Sequence, residues 1–237
     1  MAWDQRPDRH GAPRPVPDRL DPEKVAYWYF RLNGFLEIEN FVVHPERRGS
    51  QRTDADLLAV RFPHRAERLF DDPHDIMADD EHRLALSRDL IDVLIVEVKT
   101  NQPCTLNGPW TRQDQQNVHR VLAAIGCLPP DHIADAAADI YRAGIHASGT
   151  GLRIRLVAVG RDRSDELAAQ YPGVAQLIWL DLLAFIWDRL RTYRNQKTQV
   201  DQWDAQGRKI KRLADASSDP QTFADEALRL MGVRHDN

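Results

Sequence analysis

Two charged residues interrupt a strongly apolar stretch of the chain. In IDVLIVEVKTNQ, residues 91–102, six of the first eight side chains are apolar and five of those are β-branched, the pattern of a strand buried on both faces. Glu97 and Lys99 fall near its C-terminal end. Because strand side chains alternate with period two, both project from the face that carries Val93 and Ile95. A carboxylate and an ammonium buried together are costly unless each is partnered. Two chemistries account for the pair. One is a structural ion pair or a charged edge strand. The other is a hydrolytic site, in which the carboxylate binds a hard divalent cation and the lysine orients the attacking water and offsets charge on the transition state.

The elements that must position these residues are legible in outline. A helix is expected from Asp21 to Gly34, with Pro22 at its first position, Glu23 in its first turn and the glycine as its stop. Phe35 to His44 and Thr53 to Phe62 read as two strands of a hairpin joined by PERRGSQRT. Asp54 and Asp56 share a face with Leu58 and Val60 by the same alternation, and aspartate is depleted in strand interiors. Residues 63–89 form an excursion rich in Asp and Glu, expected to be a solvated insertion with a helical turn through HRLALSRD. It lacks the glycine and terminal glutamate of a calcium loop.

After the charged strand, Pro103 to Pro109 make an irregular loop ending at Trp110, and an amphipathic helix is expected from Thr111 to Gly126, with Gln115 and Gln116 in its early turns. A helix at Asp131–Ala143, a strand at Leu152–Gly160, a helix at Ser164–Gln170, a strand at Ala175–Asp181 and a helix at Leu182–Tyr193 follow. Two basic clusters come next, Arg189, Arg191, Arg194 and Lys197, then Arg208, Lys209, Lys211 and Arg212. They are either ordinary exposed faces or phosphate contacts, and Trp203 between them either stacks on a base or anchors the tail. A short amphipathic helix, Asp219–Met231, closes the chain.

Composition bounds the possibilities. A chain of 237 residues, 42 % hydrophobic and 29 % charged, buries a substantial core as one domain with appendages. Residues 1–20, with four prolines among Arg and Asp, are expected to be a flexible arm, 21–195 the domain, and 196–237 a basic and helical extension. The net charge of −4 gives no global attraction for nucleic acid, so any such contact comes from local basic patches. Two cysteines without metal-ligand spacing argue for a reduced, cytoplasmic setting, and no apolar run is long enough to span a membrane.

The order helix, strand, strand, strand, helix, strand is an α/β arrangement with a mixed sheet. On that order, Asp56 leading into an apolar strand and Glu97-Val98-Lys99 ending the next resemble the signature of the PD-(D/E)XK, or restriction-endonuclease-like, nuclease superfamily. The resemblance covers about Asp21 to Leu180 and implies a central mixed sheet flanked by helices in αβββαβ order. It implies that Asp56 and Glu97 bind Mg2+ or Mn2+ with the backbone carbonyl of Val98, and that Lys99 positions the water. Glu23 stands where many members carry a helix glutamate, although a helix-dipole acid explains it nearly as well. The proline of the family's first motif is absent, since Ala55 precedes Asp56; Asp54 is the alternative ligand, and Gln116 or Gln115 matches a helix glutamine of some members.

The function expected is therefore a magnesium-dependent DNA nuclease of bacterial defence, restriction or repair, with Arg189, Arg191, Arg194, Arg208, Lys209 and Lys211 contacting phosphate. A dimer or larger complex is expected to supply further basic surface. The competing reading is a catalytically silent nucleic-acid-binding or scaffolding subunit.

Overall fold

A computed structural model describes residues 19–44, 53–67, 76–149 and 151–234. Residues 45–52, where the hairpin turn is expected, most of the expected N-terminal arm and the middle of the acidic excursion lie outside the described residues. No helix among the described residues is long and apolar enough to cross a membrane.

Helix α1, Pro22–Leu32, begins as its sequence dictates: Asp21 caps it by accepting the Glu23 N–H at 3.1 Å, and Pro22 occupies the first turn. Gly34, at φ +80°, turns the chain out of the helix and into β1, Leu36–Val43. Strands β2 (Thr53–Arg61) and β3 (Ile91–Val98) follow, and β1–β2–β3 is antiparallel throughout. The chain then crosses through α2 (Gly108–Thr111), α3 (Asn117–Ile125) and α4 (Ile133–Ala143). It returns by the short β4 (Ile145–Ala147) to β5 (Leu152–Gly160), which lies parallel to β3. Helix α5 (Asp165–Gln170) leads to β6 (Ala175–Ile178), parallel to β5, and then come α6 (Trp179–Thr192), α7 (Ala205–Ala216) and α8 (Pro220–Met231).

The result is an α/β fold with a mixed, open, six-stranded sheet, β4 and β6 sharing the outer edge of β5. Each face of the sheet has its own core. On one, Leu57, Leu94, Val96, Val157 and Val159 pack against α1, α6, α7 and α8. On the other, Val93, Ile95, Leu156 and Ala158 pack against Trp110, α3 and α4. Burying each large apolar side chain contributes roughly 1.5–3 kcal/mol before entropy is counted. Strand β3 feeds both cores, which explains its near-continuous run of apolar residues.

Four expectations are corrected here. The segment beyond 196 is no extension: Ile210, Ala214, Phe223, Ala227 and Met231 lie in the first core, and Trp203 stacks on Trp28 with ring centroids 4.3 Å apart. Leu20, at the end of the expected arm, is buried and donates its N–H to the Leu230 carbonyl at 3.1 Å. The helix expected over 111–126 is broken by Gln116 at φ +55°, because the chain must first turn Trp110 into the second core. In the acidic excursion, Asp79 and Asp80 are buried. Asp79 pairs with Arg61, Arg65 and Arg189, and Asp80 accepts the Tyr29 hydroxyl at 2.9 Å. Sequence charge reads as solvation only until arginines from other elements reach it.

Candidate active site

The site is built where β2 and β3 part. Their ladder runs from Arg61↔Asp92 to Leu57↔Val96 and stops there. One residue further, the Asp56 carboxylate takes the N–H of Val98 at 2.6 Å, so a side chain closes the position where the ladder ends. The β1–β2 register is interrupted at the same level, with pairs on either side of Asn40 and Asp56, and Asn40 holds φ +50°. Alternation also fails across this point. Leu57 and Ala59 belong to the first core but Ala55 to the second, so the shared face expected for residues 54 to 60 does not run through Asp56. A left-handed residue opposite an aspartate is the local irregularity that frees this carboxylate from the pleat.

Glu97 and Lys99 do share a face. Lys99 Nζ donates to Glu97 Oε1, and Trp110, which packs with Val93 and Ile95, donates its indole N–H to Glu97 Oε2 at 2.8 Å. Glu97 is 2 % exposed and Lys99 18 % by side chain, so the pair lies at the bottom of the split with its ammonium nearer the opening. Lys99 is one residue past β3, yet its N–H still donates to Val159 O at 2.8 Å and continues the parallel ladder. Its carbonyl and that of Thr100 both accept from the Trp179 indole, at 3.2 and 3.1 Å. The loop that follows is stapled to the end of β5, because a Cβ on Gly160 would lie 2.6 Å from Cys104 N. Arg161 N–H donates to Gln102 O at 2.8 Å.

Glu23 joins from the first turn of α1. Its carboxyl is pushed up to about 7, first by burial and then by the negative charges of Asp56, Asp21 and Asp54. Asp56 is pushed up to about 6 by burial and by Glu97, against the Val98 N–H and Lys99, which favour its charged form. Fold and electrostatics thus gather Glu23, Asp56, Glu97 and Lys99, with Asp54 close enough to raise both carboxyls. Negative charge exceeds positive charge in this group, which suits a hard cation. Among the described residues no three His, Cys, Asp or Glu side chains are set to hold a metal ion. The set implied by the resemblance asks for fewer, two carboxylates and a backbone carbonyl, with water completing an octahedral shell.

The basic residues singled out in the sequence scatter. Arg189 is 1 % exposed and is consumed by Ala78 O, Asp79 and Glu67, and Lys211 is buried against Asp215 at 2.6 Å, so neither is open to phosphate. Arg208 donates to the carbonyls of Asp201 and Trp203. Arg194 is exposed, and Arg191 and Lys209 are half-buried. Gln116 sits at the left-handed turn before α3, and Gln115 accepts from Asn117 at 3.2 Å. The residues that reach Glu97 from this segment are Asn107 and Trp110, which the sequence marked only as the end of a loop. An Asn-Gly-Pro-Trp run soon after a Glu-x-Lys strand end was the available signal. Compared with protein-family models, curated proteins and solved structures, the chain matches none, so the reading of this site rests on its geometry.

Proposed function

We propose that this protein is a metal-dependent nuclease of the PD-(D/E)XK type that hydrolyses phosphodiester bonds, with DNA as its substrate. The observation that carries the reading is the Asp56 carboxylate at the parting of β2 and β3, bonded to Val98 N–H beside the Glu97–Lys99 pair. A packed sheet has no need of these three groups at one strand end. Asp56, Glu97 and the Val98 carbonyl are the residues that would hold magnesium or manganese. The ion, when bound, makes a nucleophile available from water near neutral pH and relieves charge on the phosphate oxygens. Lys99 aligns the water and offsets charge that develops on the phosphoryl oxygens. Glu23, whose carboxyl is pushed up to about 7, is suited to exchange a proton near neutral pH.

One observation favours a second reading, a silent nucleic-acid-binding or scaffolding subunit. Both oxygens of Glu97 already accept hydrogen bonds, from Lys99, Asn107 and Trp110. The deciding experiment incubates supercoiled plasmid, linear duplex and single-stranded DNA with Mg2+ or Mn2+ and wild type, Asp56→Ala or Lys99→Ala protein. The nuclease reading requires metal-dependent cutting that both variants lose. Intact DNA in every wild-type reaction leaves the silent subunit.

A further inference from the structure

Asparagine is among the best helix N-caps, because its side chain accepts an N–H of the first turn. Asn107 occupies the N-cap position of α2 with extended backbone (φ −67°, ψ 152°), but its side chain makes no cap bond. It is turned the other way. Its Nδ2 donates to Glu97 Oε1 and its Oδ1 accepts from Lys99 Nζ at 2.9 Å. The amide therefore bridges the two ends of the ion pair, and only one of its two flips does so, since the reverse sets oxygen against carboxylate and N–H against ammonium. Giving up a cap costs stability. Helix α2 is one turn long and leads straight to Trp110, which is fully buried and donates to the other Glu97 oxygen.

We infer that Asn107 and Trp110 are positioning residues that hold Glu97 in its metal-binding orientation and fix the Lys99 ammonium beside it. The inference rests on the nuclease reading of the same site. Indole and amide donors fix both carboxylate oxygens without adding charge, so the negative excess that attracts a cation is kept. A second cation in either place would cancel it. The second core holds the indole, which keeps Glu97 in place when a cation or phosphate arrives.

The test uses the full chain. Trp110→Phe keeps an aromatic ring and removes the N–H, and Asn107→Leu removes the bridge at an exposed position outside the core. Mn2+ binding is followed by calorimetry, and Mg2+ binding by the indole N–H resonance of Trp110 in tryptophan-labelled wild type and Asn107→Leu protein. Outer partners of metal ligands typically hold roughly 10- to 100-fold in affinity. Each variant is expected to bind Mn2+ that much more weakly. Exposed Asn107→Leu should unfold near the wild-type temperature, while Trp110→Phe, which leaves a gap in the second core, should unfold lower but still cooperatively. In wild type the Trp110 resonance should shift on Mg2+ addition, and in Asn107→Leu the same shift should need correspondingly more metal. Folded variants that bind with wild-type affinity overturn the positioning role and leave the nuclease reading standing. A wild type that binds neither ion overturns both.

Discussion

Strand β3 carries a buried carboxylate at each end, and the two are treated in opposite ways. At the N-terminal end Asp92, 3 % exposed, lies between two arginines of the parallel neighbour. Arg153 donates to its oxygens at 3.1 and 2.8 Å and Arg155 at 3.2 and 2.6 Å. The spare guanidinium N–H groups go to the carbonyls of Ala85 and Leu84. The carboxylate there is answered by fixed, bidentate geometry from both guanidiniums. At the C-terminal end Glu97 has one lysine and two neutral donors, while Asp56 has a backbone N–H and Glu23 has like charges around it. Burial alone does not mark a site. Burial without neutralisation does, because the missing counter-charge must come from something that binds.

The comparison breaks most sharply if the structural end is cut. Asp92→Ala leaves Arg155, buried, and Arg153, partly buried, without their counter-charge and is expected to destabilise the fold by about 3–5 kcal/mol in chemical denaturation. An effect below about 1 kcal/mol would mean that Asp92 is as dispensable to folding as the other end. Lys99→Ala addresses that other end. Cleavage should fall roughly 10²–10³-fold, the scale of losing one preorganised charge at a transition state, while the denaturation midpoint stays near wild type. Asp56→Asn keeps an acceptor for Val98 N–H and removes a carboxylate that is buried among like charges. It should abolish cutting yet raise stability by about 0.5–2 kcal/mol, as functional sites commonly trade one for the other. A destabilised Asp56→Asn protein would assign this carboxylate to the fold.

Glu37 on β1 supplies a smaller test, as a carboxyl with no hydrogen-bond partner among the described residues. Both its oxygens are buried without a hydrogen bond, and burial first, then Glu39, pushes its carboxyl up from 4.5 to about 9. Its protonated form favours the folded state. That contribution is complete below the unfolded value of 4.5 and is lost as pH rises toward 9. Glu37→Gln should flatten the fall of the melting temperature between pH 5 and 9, with a gain of about 3 °C at the alkaline end for each ~1 kcal/mol recovered. An unchanged pH profile would show that Glu37 does not set it. The smallest effect expected is at exposed Arg194, where substitution by alanine should lower the salt slope of DNA binding by about one if the side chain meets a phosphate.

The sequence by itself determined most of the element order, though not β4 or α7, and the charged strand end. Helix α1 with its Asp21 cap, the β1–β2 hairpin, the doubly buried β3 and the apolar run of β5 all follow from local rules of capping, alternation and apolar runs, whereas the parallel pairing of β5 with β3 is a tertiary fact. The placement of Glu97 and Lys99 on one face followed from period two and is met by their direct contact. What alternation could not supply was the break at Asn40 and Asp56, since a left-handed residue in a strand is invisible to a pattern that assumes regular pleating. Nor does composition say which charges have partners. Arg189 and Lys211 read as a basic surface and are interior pairs, and Asp79 and Asp80 read as solvated and are buried. Only the tertiary structure decided these, because a charge's role is set by counter-charges that lie close in space and far along the chain. The same holds for Asn107 and Trp110, whose polar atoms matter only because the loop after β3 folds back onto Glu97.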